Sequence, residues 1–152
     1  MADDSESLGS IVIRKMEKDD VGVVVDIWYK ASIQTHSFIP KKYWKDNKDL
    51  MKYKYLPTSD VYLAVKGMIV IGFIALENNN LAAIFVEPEL QDTGVGSLLI
   101  DYAKSILNVL QLKVYEKNNS AIQFYKNKGF KITSNSIDEE TGEAELIMEW
   151  NK

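Results

Sequence analysis

The densest group of residues able to do chemistry in this 152-residue chain is Gln91-Asp92-Thr93-Gly94-Val95-Gly96-Ser97. It lies between an apolar, β-branched run that ends at Pro88 and a stretch whose apolar residues recur at helical spacing. A strand, a glycine turn and a helix start in that order form an anion site. The first turn of a helix carries N–H groups without internal partners and the positive end of the dipole, and both favour a phosphate. Glycine is needed where the backbone must come close to that phosphate, because a Cβ there would collide with it. The spacing excludes two common phosphate motifs. No Lys-Ser or Lys-Thr follows Gly96, so the G-x-x-x-x-G-K-[ST] nucleotide loop is absent. The third glycine of a dinucleotide G-x-G-x-x-G would fall at Leu99, and no acidic residue stands where a ribose would be held.

Other reactive side chains are few. With no cysteine there is no thiolate nucleophile, disulfide or cysteine-based zinc site, and a single histidine makes a histidine-rich metal centre equally unexpected. That residue, His36, has the one side chain whose unperturbed pKa lies near neutrality. No Ser-His-Asp arrangement offers a covalent acyl carrier. A net charge of −4 argues against a general nucleic-acid binder and suits, weakly, a cationic partner.

These residues need a scaffold, and the apolar pattern outlines one. Residues 1–10 are acidic and polar, with neither a basic n-region nor an apolar h-region, and read as a disordered tail rather than a signal peptide. Ile11, Ile13 and Met16 mark a first strand. Lys18-Asp19-Asp20 starts a helix with acid in its first turn, and Val21, Val24, Val25, Trp28 and Ala31 form its buried stripe. Residues 32–40 break that pattern and end at Pro40. A second helix over about 42–55 carries Tyr43, Trp44, Tyr53 and Tyr55, rings that either pack on a sheet or wall a pocket. Residues 61–65 and 68–76 form a hairpin through Lys66-Gly67, and Asn78-Asn79-Asn80 turns into the strand at 81–86.

After the glycine loop, Val95, Leu98, Leu99, Tyr102, Ala103, Ile106, Leu107 and Leu110 make a helical stripe. The strand at 110–115, reached by a helical crossover, is expected to run parallel to 81–86. Residues 117–120 cap a short helix through Lys128, with Gly129 just past its end where φ > 0 is usual. Strands at 130–134 and 143–150, joined by a turn over 138–142, complete the chain. The expected class is mixed α/β (α+β): a mostly antiparallel central sheet of about seven strands flanked by about four helices. Residues 11–152 are expected to form one domain, long enough to bury roughly 70% of its unfolded surface. No apolar run approaches the ~20 residues needed to span a membrane, and a cytoplasmic location is expected.

Gln91-x-x-Gly94-x-Gly96, following a strand that ends in Val86-x-Pro88, resembles the coenzyme A pyrophosphate loop of the GNAT superfamily, the acyl-CoA-dependent N-acetyltransferases. About two dozen residues later, Asn118, Ala121, Phe124, Tyr125, Gly129 and Phe130 fall on the family's N-x-x-A-x-x-F-Y-x-x-x-G-F signature. The order of elements also agrees from Ile11 to Trp150. With Ile27-Trp28 and Thr35-His36-x-Phe38, the chain looks like the small single-domain bacterial members.

The resemblance implies an N-acetyltransferase that uses acetyl-CoA and no metal, and passes the acetyl group directly to a primary amine in a ternary complex. An alternative is a catalytically weak or inactive CoA-binding regulatory domain of the same fold. The partners implied are acetyl-CoA and an amine acceptor, with no nucleic acid or membrane, in a monomer or homodimer. In the family the strand before the glycine loop splays from its parallel neighbour. Ile84, Phe85 and Val86 would then run along the pantetheine, and one N–H there would face the thioester oxygen, a contribution of ~2.7–4 kcal/mol in other acyl-transfer sites. Gln91, Asp92, Thr93, Gly94, Val95, Gly96 and Ser97 would hold the pyrophosphate, with Asn118 on the cofactor side. Tyr125 takes the general-acid position, where a phenol of pKa ~10 can serve a thiolate of pKa ~8.5. The position where many members carry a basic glutamate or histidine falls on Asn80, which cannot take a proton. Water relayed to Glu77, or His36, would have to serve instead, or the amine arrives neutral. Trp28, His36, Phe38, Glu77 and Asn80 are the expected acceptor-side residues.

Overall fold

A computed structural model describes residues 10–152. Apart from Ser10, the tail expected over residues 1–10 lies outside the described residues. Seven strands form one mixed sheet: β1 (Ile11–Lys15), β2 (Asp60–Lys66), β3 (Ile69–Glu77), β4 (Asn80–Val86), β5 (Val109–Tyr115), β6 (Lys131–Ile137) and β7 (Ala144–Asn151). Their spatial order is β1-β2-β3-β4-β5-β7-β6, and among the described residues only β4 and β5 pair in parallel. The four principal helices are α1 (Val21–Thr35), α2 (Lys41–Asp46), α3 (Val95–Ile106) and α4 (Asn119–Asn127). The expected mixed, mostly antiparallel sheet with about four helices is the architecture observed.

Turn chemistry sets the antiparallel order. Gly67 at φ +64° and Gly142 at φ +74° occupy the left-handed region at the β2–β3 and β6–β7 turns. Asn78 supplies the same geometry, φ +55°, before β4. Arg14 on β1 grips Asp20 with two bonds of 2.8 and 3.0 Å, and Asp20 also accepts the Glu17 N–H, fixing the entry to α1. Each face of the sheet has its own core. Leu99, Ile100 and Ala103 of α3 pack with Leu110, Leu112, Met148 and Tyr125 on one side. Val24, Ile27 and Trp28 of α1 pack with Trp44, Leu63 and Phe73 on the other. Burial of each large side chain contributes about 1.5–3 kcal/mol.

Three boundaries differ most from the sequence reading, while the strand expected at 130–134 extends over Lys131–Ile137. Helix α1 continues to Thr35 rather than breaking at Ser32, because no glycine or proline stops it and Ser32 is buried one turn beyond Trp28. The second helix breaks at Asn47, whose side-chain amide donates to the Tyr43 carbonyl at 2.7 Å. Beyond that break, Lys48–Leu50 and a π-helical Met51–Tyr55 continue it. Helix α3 ends at Ile106, so Leu107 and Leu110 do not belong to its stripe; Leu110 is a core residue of β5.

Candidate active site

The parallel pair β4–β5 is joined at a single position, Asn80 opposite Gln111, with the Gln111 N–H donating to the Asn79 carbonyl at 2.9 Å. Beyond it the strands part. On its other edge β4 pairs with β3, but Ala75 faces Ala83 and Leu76 faces Leu81, so Ala82 is an extra, bulged residue at the fork. The sequence reading expected the splay and missed the bulge. The fork opens into a cleft of about 890 Å³, the size of a site for a small organic ligand.

One half of the cleft is built for an anion. Gly94 at φ +97° ends the loop in a left-handed turn, and Asp92 adopts φ +64° before it. No side chain caps α3; its first backbone bond is Leu98 N–H to the Gly94 carbonyl at 3.1 Å, which leaves the opening N–H groups free for a ligand. These open donors, beside a strand edge without a neighbour, fit the diphosphate and the amide-bearing arm of coenzyme A. Ile84, Phe85, Val86, Gln91, Asp92, Gly94, Gly96 and Ser97 all line the cleft. Thr93 and Val95 do not: the Thr93 hydroxyl folds back onto the Leu90 carbonyl, and the Val95 side chain is buried in the core. Only their backbones can serve. A Cβ at Gly96 would stand 3.4 Å from Phe124 of α4, the near edge of ordinary contact, so glycine is not demanded there by packing alone.

Tyr125 reaches the cleft from α4. It is 8% exposed, and its ring packs on Phe124 and Phe130 at centroid distances of 5.4 and 5.6 Å. Burial pushes its phenol well above the ordinary tyrosine value, so it stays protonated through the neutral and alkaline range. The helix that carries it is fixed at its start by Asn118. The Asn118 Oδ1 accepts the Ala121 N–H at 3.2 Å, and its amide lies 3.3 Å from the His36 Nε2. With Oδ1 occupied, the Asn118 amide donates to Nε2, and the His36 ring proton resides on Nδ1.

His36 is buried, stacked on Trp44 at 5.3 Å and edged by Phe38 and Tyr115. Among the described residues its Nδ1 has no partner, and burial pulls its pKa down to about 4. The neutral ring is therefore a poor proton acceptor, and Nε2 is already engaged. A general-base role does not fit; a connection between the acceptor side and the start of α4 does. Trp28, Glu77 and Asn80 line the cleft, whereas Phe38 stands behind it against His36 and Tyr115.

The acceptor half also contains residues that sequence reasoning did not single out. Tyr115, Glu140, Glu145 and Lys113 line it. The β6–β7 turn is tied across it by two phenol-to-carboxylate bonds of 2.6 Å, Tyr43 to Glu140 and Tyr115 to Asp138. Glu145 is buried and accepts the Ser136 hydroxyl at 3.0 Å. Their only sequence signals were the aromatic second helix and the acidic 138–143 stretch. This half has carboxylates, an aromatic wall and one lysine, a setting for a cationic group.

A model of the acetyltransferase (GNAT) domain matches residues 57–132. Over 140 residues the chain is 31% identical to the peptidyl-lysine N-acetyltransferase YiaC of Escherichia coli (strain K12), covering 91% of this chain and 96% of that protein. The peptidyl-lysine N-acetyltransferase YjaB of the same strain is 31% identical over 139 residues, covering 91% and 94%. The solution structure of apo-form YjaB from Escherichia coli aligns with a TM-score of 0.82 at 30% identity, covering 92% of this chain and 97% of that one. The PaiA N-acetyltransferase from Thermoplasma acidophilum, crystallised with coenzyme A, shares the fold at TM-score 0.81 and 22% identity, covering 94% and 99%. The chain belongs to the GNAT family of acetyltransferases, enzymes that take their acetyl group from acetyl-CoA.

Proposed function

We propose that this chain, as a single domain over residues 11–152, acetylates the side-chain amine of lysine in peptides or proteins by direct attack in a ternary complex. The observation that carries the reading is the fork. One parallel pair, Asn80 with Gln111, is followed by a β4 edge without a partner strand, with the glycine loop at its end and Tyr125 beside it. Acetyl-CoA, when bound, supplies an activated acetyl thioester and a diphosphate. The amides of residues 92–97 bind the diphosphate through the open start of α3, and the Ile84–Val86 edge orients the pantetheine as another strand would. The bulge at Ala82 leaves backbone N–H groups free at the fork, where they can face an acyl oxygen. Tyr125 Oη holds the proton needed on the departing sulfur. Holding donor and acceptor together supplies much of the advantage.

The lysine acceptor is supported by the carboxylates Glu77, Glu140 and Glu145 around the acceptor half, and by the activity in the names of YiaC and YjaB. With Asn80 and His36 unsuited to proton removal, the carboxylates and water take that proton, and a cytoplasmic location gives access to acetyl-CoA. The test is thiol release from acetyl-CoA against lysine peptides, peptides with a free N-terminus only, polyamines and free amino acids. Turnover dominated by lysine side chains supports the reading. Turnover confined to small amines, or tight CoA binding without turnover on any amine, overturns it.

A further inference from the structure

We propose that Lys113 is a self-acetylation site, receiving the acetyl group in cis when no other amine fills the acceptor half of the cleft; this rests on the acetyltransferase reading above. The placement comes from the strand alternation. Leu110, Leu112 and Val114 of β5 are buried toward α3 and α4, so Gln111, Lys113 and Tyr115 point to the acceptor side. Gln111 is the residue of β5 that pairs with β4. Lys113 is therefore the first β5 side chain on the acceptor face beyond the point where the strands part. Among the described residues it is the only lysine lining the cleft that Tyr125 and Ile84 also line.

Lys113 also stands where an acceptor ammonium would stand. Its Nζ is 3.9 Å from Glu145 Oε1, a loose pair, and 64% of its side chain is exposed, so the long stem can turn toward the fork. Glu145 itself is held by Ser136. In the step, one Nζ proton leaves to the Glu145 carboxylate and then to water. The freed lone pair forms the N–C bond to the acetyl carbon as the C–S bond breaks. A second Nζ proton ends on the thiol sulfur, giving Nε-acetyllysine and free thiol. Tethering makes the step unimolecular and gives the nearby amine a high effective concentration. Acetylation removes the lysine charge, which releases Glu145 for an acceptor's ammonium.

The experiment incubates the full chain with acetyl-CoA and no acceptor, and follows intact mass and peptide maps over time. The expected result is one acetyl group appearing first on Lys113, at a rate constant unchanged over a tenfold range of protein concentration. Tyr125→Phe should slow it at least tenfold, and Lys113→Arg should lack that acetyl group. Acetylation of Lys113 no faster than of exposed Lys131, or a rate constant that scales with protein concentration, overturns the proposal. If a lysine peptide is acetylated while Lys113 stays unmodified, the proposal falls and the acetyltransferase reading stands. If neither gains an acetyl group, both fall.

Discussion

Tyr125→Phe separates a catalytic hydroxyl from a core ring, because the two roles predict opposite patterns of change. The substitution keeps the ring contacts with Phe124 and Phe130 and removes one oxygen. Among the described residues that oxygen has no hydrogen-bond partner, and burial alone accounts for the raised phenol. Removing it therefore leaves no orphaned donor or acceptor in the protein. The oxygen opens onto the cleft and is not among the buried atoms left without a partner, so the variant should match the parent in stability to within about 0.5 kcal/mol. The chemistry should suffer instead. Loss of a positioned general acid lowers the rate by about 10²–10⁴, or roughly 2.7–5.5 kcal/mol of barrier. The KM for acetyl-CoA, which the proposed reading assigns to residues 84–97, should hold. Thiol release at saturating cofactor gives kcat, and urea unfolding gives stability. Equal kcat with lowered stability would refute the acid role. In the parent enzyme the raised phenol also predicts no loss of kcat near pH 10, where an ordinary tyrosine ionises.

His36 makes stability pH-dependent in the acid range. Its folded-state pKa of about 4 lies below the ordinary ~6.5, so protons bind the unfolded chain more readily. The stabilisation is whole above pH ~6.5 and declines as pH falls toward 4, by on the order of 3 kcal/mol in all. His36→Gln should flatten that part of the urea-midpoint profile between pH 7 and 4.5, and an unchanged slope would show that His36 is not responsible. Asn118→Ala removes the cap of α4 and the donor to His36, and should destabilise by about 1–2 kcal/mol in urea unfolding. Asn118→Asp keeps a cap and should recover part of the loss. Tyr115→Phe cuts the tie to Asp138, so amide exchange over residues 138–142 should quicken and the KM for the amine should rise while that for acetyl-CoA stays.

What was legible in the sequence was local. Gly129 signals a left-handed position past a helix end, residues 117–120 a cap, and Lys66-Gly67 a hairpin turn; each is decided by a residue and its near neighbours. The glycine-loop half of the cleft is built from one such contiguous unit, β4 through the start of α3, and so its strand, loop and helix could be located in the sequence. The other half could be read only in part: the sequence points to Trp28, His36, Glu77 and Asn80, which line the cleft, and not to Tyr115, Glu140 or Glu145. Tyr43 of α2, Tyr115 of β5, and Glu140 with Glu145 of the β6–β7 hairpin come from three separate segments, and Tyr115 and the two glutamates look like ordinary solvent-facing residues in the sequence. Alternation says that Lys113 faces away from α3; only the sheet order says that this face opens onto a cleft. The end of α1 failed for a different reason. Ser32 looked like a break, yet it is buried with its hydroxyl unpaired, because the turn it belongs to is held by packing around Trp28 and Trp44. Gly96 reads as making room for a phosphate, and the neighbour that a Cβ there would meet within the protein is the Phe124 ring.

The central claim is that the open start of α3 and the unpaired edge of β4 together hold the acetyl donor. Amide hydrogen exchange of the protein with and without acetyl-CoA tests it at residue resolution. The account predicts slowed exchange concentrated at residues 92–97 and along 82–86, with the outer strands β1 and β6 unchanged. Saturation with acetyl-CoA that leaves both stretches unprotected would contradict it.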